Sequence, residues 1–323
     1  MENIRVTFAC ELHDYILPLY LGDVQPEGID LKIRAFASAR EIFDRMGSGL
    51  EFDIAVFSSS EFICRHAAGN SPLVALPIFP PRMFRHGFIC INRKSGIRHP
   101  KDLEGKRIGV HFTQTVSVVT RGILQHDYGI DLSTIRWLQG SVDKPGRNLN
   151  PNIPEPQISL PLEYNDTGKS LGALLEEHAI DALFDARLPR ALGTHPDIAR
   201  LFPNFKQVER DYYGRTGIFP IMHLVAMRRD TYERHPHIAS SLFKALQQSK
   251  ELAERKLRAI GSLPYMLPWL AEDIAEIDEV FSGDPWPYGV EPNRKAIEQF
   301  VTFLVEQGLL PKPVAADDLF VPI

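Results

Sequence analysis

Short apolar runs alternate with helix-length amphipathic stretches along this chain, and the alternation begins twice. Residues 52–57 (FDIAVF) are a short, continuously apolar run, the pattern of a strand buried on both faces of a parallel sheet. Residues 4–9, 31–35, 73–79 and 87–92 supply further strand patterns around it. Between them lie a helix or turn at 15–21 and helices at 38–47 and 61–68. Ser38 stands at the N-cap and Glu41 in capping-box position. The pattern restarts after Asn92, with a short helix at 100–103 and strand 106–110 (KRIGV). Helix 117–128, strand 134–138, helix 170–178 and strand 182–184 follow. The least regular stretch is 139–162, with prolines at 145, 151, 154, 156 and 161. Loops this long in compact proteins are usually functional or disordered. Beyond a strongly apolar strand at 218–228 (IFPIMHLVAMR) the chain reads as helices 236–260, 270–278 and 292–307, the last ended by Gly308.

Alternating β and α units predict an α/β fold of two lobes, each a mostly parallel sheet flanked by helices. Lobe 1 is expected at 1–93 plus 217–323 and lobe 2 at 94–216. Two crossings make a hinged cleft, and ligands sit outside the carboxyl ends of strands in open α/β sheets. The length of 323 residues agrees, because single cores stop growing near ~250 residues.

A net charge of -5 gives no reason to expect nucleic acid as a partner, nor an anionic membrane. Nowhere does the chain approach the roughly 18 apolar residues of a membrane span. The start, MENIRVTFAC, lacks the basic end and apolar run of a secretory signal, so a cytoplasmic protein is expected. The three cysteines, Cys10, Cys64 and Cys90, are scattered among apolar residues and read as small buried hydrophobes. No CxxC pair or HExxH segment points to a metal. His235 and His237 flank Pro236 at a helix edge, so no metal is expected.

Five segments follow strands or face the expected cleft. They are residues 11–15 with His13, the serine run with Ser58 and Ser59, residues 80–86 with Arg82, Arg85 and His86, residues 111–115, and residues 220–223 with His223. The segment His111-Phe112-Thr113-Gln114-Thr115 joins a strand to a helix, where free backbone N–H groups and hydroxyls can receive a carboxylate. Plain N-capping is the competing reading. Arginine grips carboxylates bidentately, so Arg82 and Arg85 suit a dicarboxylate, and in an extended segment Arg82 would share a face with His86. A solvated basic loop has the same spacing. His223 is a lone imidazole in an apolar strand, either a satisfied core histidine or a titrating group in the cleft. Residues 144–147 (KPGR) could close over an anion or stay a solvated loop.

The runs RMFRHGFICIN (82–92), GIRHPKDLEGKRIGV (96–110) and RGILQHDYGI (121–130) resemble the 4,5-dihydroxyphthalate decarboxylases. So do GIFPIMHLVAMRRDTYERHP (217–236), DPWPYGVEPNRKAIEQF (284–300), VQPEGIDL (24–31) and EFDIAVFSSSEF (51–62). The resemblance spans nearly the whole chain. GIFPIMH and the WPYG, Glu and Asn-Arg pattern near its end are the specific parts. It implies a periplasmic-binding-protein type II-like fold, no organic cofactor and aromatic decarboxylation, with Arg82, Arg85, His86 and His223 as site candidates. Two segments depart from the family's usual pattern. ELHDYI stands where a GDYDRT-like segment is common, and HFTQTV, which brings in His111, stands for a PEYQMT-like one.

The implied reaction converts 4,5-dihydroxyphthalate, or a close analogue, to protocatechuate in phthalate degradation, a branch of aromatic catabolism. Protonation of the ring carbon bearing the carboxylate and loss of CO2 would need a general acid and a phenol partner, His223 and His86 in either order, with His111 in reserve. Arg82, Arg85, Ser58, Ser59, Thr113, Gln114, Thr115 and His13 would bind the aromatic carboxylate. A homo-oligomer is compatible with the sequence. The alternative is a solute-binding protein that hands a small aromatic carboxylate to a transporter, since the same fold serves both uses. Another lyase or synthase on this fold is a further rival. A ligand-sensing regulator is disfavoured because no helix-turn-helix segment accompanies the lobes.

Overall fold

The computed structural model describes residues 3–323 apart from 70, 154, 155, 158, 159, 260 and 262. Pro154, in the irregular stretch, and Ile260, the expected end of a helix, lie outside the described residues. The described strands are β1 (Ile4–Glu11), β2 (Ile29–Phe36), β3 (Ile54–Ser58), β4 (Leu73–Leu76), β5 (Cys90–Asn92), β6 (Arg107–Val110), β7 (Arg136–Gln139), β8 (Leu162–Tyr164), β9 (Ala182–Phe184), β10 (Ile198–Arg200) and β11 (His223–Arg228). They form two sheets in two compact units.

The first unit comprises Met1–Arg82, Ile221–Lys295 and Val314–Ile323. Its sheet has the order β2-β1-β3-β11-β4. β1 runs parallel to β2 and β3, and β11 lies antiparallel between β3 and β4. All five residues of β3 are buried, as expected for a central strand. The edge strand β2 keeps Lys32 and Arg34 outward, which discourages pairing with another chain.

The second unit comprises Met83–Pro220 and Ala296–Pro313, with sheet order β10-β5-β9-β6-β7-β8. β9, β6, β7 and β8 are parallel, while β5 runs antiparallel to both β9 and β10. Trp137, Phe112, Phe184 and Leu124 anchor its core. Both sheets are therefore mixed.

The unit boundaries differ from the expected ones. Residues 83–93, 217–220 and 296–313 belong to the second unit. β5 is paired there with β9 and β10. Helix Arg294–Glu306 sends Phe303 onto helix Thr115–Tyr128. Strands β8 and β10 and helix Phe205–Thr216 were not expected at all. The strands are three residues each, and the helix buries only Tyr212, so its apolar periodicity is faint. Ser38 does stand at an N-cap, but its side chain makes no capping bond, and Glu41 pairs with Arg45 at 2.9 Å instead. All three cysteines are buried, and burial pushes each thiol up to about 12, so none is a thiolate at neutral pH. No described helix is long and apolar enough to cross a membrane.

Gly122 lies directly against the Phe303 ring. A Cβ there would sit 2.3 Å from the Phe303 ring. Replacing a mid-helix glycine by alanine ordinarily stabilises by about 1 kcal/mol. Here overpacking wins, because Phe303 is itself 1% exposed and has nowhere to go. Gly122→Ala should destabilise by about 1–3 kcal/mol net, read as a lowered melting temperature; an unchanged or raised one would refute this packing.

Candidate functional site

In the first unit, β1 and β3 end side by side where β11 begins. The ladder sets His223 opposite Ser58. The His223 ring meets Phe43 edge-on, with centroids 4.8 Å apart. Glu11 closes β1 and faces two imidazoles. The Nε2 of His13 lies 3.6 Å from its carboxylate. His13 holds Glu11 below the usual carboxylate range against the opposing effect of burial, and His223 and the backbone N–H of Ala39 add to the pull. Ser58 ends β3 and its Oγ lies 3.2 Å from that of Ser60. Ser59 opens helix Ser59–Ala67 and donates its N–H to Met222, 3.4 Å away. The structure thus gathers Glu11, Ser58 and His223, with His13 beside Glu11, at one end of this sheet. Glu11 was not among the expected site residues. Its position as the last residue of an alternating strand was the available signal.

Arg82 is also in the first unit and is 7% exposed. Its Nη2 donates to the side-chain carbonyl of Asn293 and to the Pro287 carbonyl at 3.2 Å. Asn293 is itself buried, and its Nδ2 donates to Pro287 and Gly289 at 2.8 and 2.7 Å. The motif DPWPYGVEPNR therefore folds as a clasp around one guanidinium.

Arg85 and His86 fall on the other side of the unit boundary. The segment is not extended. Arg85 is followed by a 3-10 turn, His86–Phe88, so the expected shared face of Arg82 and His86 does not form. His86 is 2% exposed and packed among Tyr212, Phe202 and Tyr128, with ring centroids 5.3, 5.5 and 6.1 Å away. Neither ring nitrogen has a hydrogen-bond partner. Burial, with Arg215 adding to it, lowers its pKa to about 4. Burial among these rings thus favours the neutral imidazole. Arg85 is buried over the Phe88 ring at 4.8 Å. Burial lowers it to about 10, opposed by the charges of Asp185 and Glu209.

Asp185 and Gln139 were not expected either. Asp185 follows β9, accepts from the Val142 N–H at 3.0 Å, and is raised above the usual range by burial. Gln139 ends β7 and accepts the Phe112 N–H at 2.7 Å, fixing the loop that carries His111. His111 is buried just beyond β6, and Thr113, Gln114 and Thr115 lead into helix Thr115–Tyr128 with Gln114 at its N-cap. Beneath that loop lies Arg121, fully buried. Its Nη2 donates to the Phe112 carbonyl at 2.8 Å, its Nε donates to Gln307 at 2.9 Å, and its guanidinium sits 3.7 Å from the Phe112 ring centroid. Burial lowers it to about 9. Arg147 of the KPGR segment is engaged with Asp166 through two bonds of 2.7 Å and lies over Tyr164, rather than being held ready for an anion. Among the described residues no group of three acidic, His or Cys side chains is placed to hold a metal ion.

His86 has a consequence for stability. Its folded pKa, about 4, lies below the ~6.5 of an unfolded chain, so between these values the unfolded state binds more protons. Stability is thus lost as pH falls through that window, by roughly 2 kcal/mol between pH 7 and 5. Melting curves at the two pH values should show the loss in the native protein and a smaller one in His86→Leu; equal losses would contradict the assignment.

A family model described as NMT1/THI5 like matches residues 22–144. A protein of Comamonas testosteroni named 4,5-dihydroxyphthalate decarboxylase is 31% identical over 326 aligned residues, covering 100% of this chain and 98% of that protein. One of the same name from Pseudomonas putida is 32% identical over 66% of this chain and 83% of its own length. Among solved structures, the periplasmic aliphatic sulphonate binding protein of Escherichia coli superposes with a TM-score of 0.54 at 13% identity, covering 99% of this chain and 97% of its own. A putative periplasmic sulfonate-binding protein of Methylobacillus flagellatus gives 0.51 at 16%, covering 100% and 93%. The sulfonate-binding neighbours share the fold, and by its full-length similarity the chain belongs to the 4,5-dihydroxyphthalate decarboxylase family.

Proposed function

We propose that this protein is a carboxy-lyase that removes CO2 from a hydroxylated aromatic dicarboxylate, 4,5-dihydroxyphthalate or a close analogue, as a cytoplasmic step of phthalate degradation. The observation that carries the reading is the end-to-end similarity to a protein of that name. In such a substrate each carboxylate stands para to a hydroxyl. Proton transfer to the carbon bearing one carboxylate gives a dienone. Cleavage of the bond to that carboxylate releases CO2, its electron pair restores the aromatic ring, and the phenol proton balance is closed by a nearby base. No electron acceptor or organic cofactor is needed.

His223 is the proton donor in this scheme. Glu11 supplies the negative charge that an imidazolium requires opposite it. His13, beside Glu11, is the other imidazole of that group and is suited to the phenol. Within the first unit Arg82 is the group suited to a carboxylate, with Ser58 and Ser59 as neutral donors beside His223.

A second reading is favoured by the fold neighbours, which are named as binding proteins. It has the chain bind a small aromatic carboxylate without turnover. Incubation of purified protein with 4,5-dihydroxyphthalate and a panel of hydroxybenzoates, followed by CO2 release and product mass, separates the two. Decarboxylation of one compound supports the lyase, and tight binding without turnover supports the carrier. His223→Gln should lower turnover by roughly 10²–10⁴-fold while leaving substrate affinity within a few-fold. Full activity in that variant would sink the assignment of the acid.

A further inference from the structure

In the first unit, Arg258 at the end of helix His237–Arg258 is tied to Asp278 of helix Leu270–Phe281 by two bonds of 2.7 Å. The connection between these helices carries large apolar side chains into solvent. Met266 is fully exposed, Trp269 is 72% exposed, and Leu263 and Leu267 are about half exposed. Elsewhere among the described residues, exposed large hydrophobics stand singly along the chain or, at Tyr20 and Leu21, as one pair. Single ones need no explanation, whereas a cluster rimmed by polar groups marks an interaction site. The connection is also held in shape. Leu267 donates its N–H to the Tyr265 carbonyl at 2.8 Å, and Leu270, itself buried, donates to that of Leu267 at 3.2 Å. Pro264 and Pro268 fix the backbone beside them. A surface fixed in this way has little freedom left to lose on association.

Charges of opposite sign flank these apolar residues. Arg255 and Lys256 stand exposed in the last turn of the first helix, and Glu272 and Asp273 stand exposed in the first turn of the second. None of the four makes an ion pair among the described residues, because Arg258 takes up Asp278 and Glu254. Both signs suit the helix dipoles. That accounts for the charges but not for the apolar residues between them. We propose that this end of the helix pair is a self-association surface, and that its partner is the same surface of a second copy of the chain, related by a two-fold axis through the Leu263–Trp269 segment. In such an isologous contact the surface must be complementary to itself. The order basic, apolar, acidic meets that condition. When reversed against itself it sets each basic pair opposite the other copy's acidic pair, with Met266 and Trp269 buried at the centre. Trp and Met are enriched in the buried centres of interfaces, and charges belong on the rim. An anionic membrane is a poor occupant, because its negative surface potential repels Glu272 and Asp273.

The test is sedimentation velocity of the full chain across micromolar concentrations. The native protein should associate. Met266→Asp, at a fully exposed position that the single copy tolerates, should weaken association roughly tenfold or more. Two charge reversals make the test specific. Arg255→Glu with Lys256→Glu in one variant, and Glu272→Lys with Asp273→Lys in another, set like charges across the axis, so neither variant should pair with itself where the native chain does. An equimolar mixture of the two should recover the dimer, because each altered pair then meets its opposite. Far-UV circular dichroism checks that each variant is folded. Should the reversals fail to fold, Trp269→Ser joins Met266→Asp in carrying the test. A larger native assembly that falls to a smaller one in the variants and is restored by mixing upholds the proposal equally. A native chain that stays monomeric overturns it, and sedimentation of that monomer with phosphatidylglycerol vesicles would make the surface a membrane contact instead. A native assembly left intact by Met266→Asp and by both reversals also overturns it, because the contact then lies elsewhere.

Discussion

The returning strand β11 is the constraint on which the first unit depends. It arrives after the whole central part of the chain has been laid down elsewhere and inserts between β3 and β4, satisfying the backbone groups of both. A central strand in a buried sheet leaves no freedom of register, because a one-residue slip would turn Leu224 and Ala226 onto the face occupied by Val225 and Met227. That fixed register sets His223 opposite Ser58 and near the carboxyl end of β1. The imidazole at the first residue of this strand is placed by backbone pairing and meets the Phe43 ring edge-on. His86 shows the contrasting case, an imidazole used as an apolar ring among aromatic neighbours.

Much of the architecture was legible in the sequence, because it follows from period and punctuation. The FDIAVF run, KRIGV and residues 182–184 all became buried strands, and the helices after residue 236 lie where their apolar spacing puts them. The elements that escaped are those whose signals are short or polar. Strands β8 and β10 have three residues each. The 205–216 helix is nearly all polar on the outside. Boundaries between units escaped for another reason: they depend on which strand pairs with which, and local sequence does not encode that. β5 follows the first run of βα units in sequence yet pairs with β9 and β10.

The site was legible in kind but not in detail. Spacing could list His86, His111 and His223 as candidates but could not say which would be desolvated among rings. Their surroundings separate them, aromatic rings around His86 and a loop fixed by Gln139 around His111, and these are tertiary properties. The same holds for arginine. Arg82 and Arg85 are three residues apart in one motif, yet the first is clasped by the WPYG loop and the second sits over Phe88 near Asp185. Glu11 and Asn293 were hidden because one carboxylate or one amide in a polar segment carries no distinctive pattern. Their importance comes from the cations and imidazoles that the fold brings to them. Full-length similarity names the family, while the fold neighbours show that the scaffold by itself does not choose between binding and catalysis.

Both units are assembled from separated pieces of chain, and the pieces interleave to the very end of the sequence. The first needs residues 221–295 and the last ten, and the second needs residues 296–313, where Gln307 receives the buried Arg121. On a ribosome making about 5–20 residues each second, the first 220 residues would emerge without the partners that complete either core. The sheet of the second unit could form early, but Arg121 would wait with no acceptor from Gln307 and with the face of Gly122 bare. This geometry makes synthesis itself a vulnerable interval for the protein. It also means that neither unit can be excised as one continuous fragment, so evolution must alter them together.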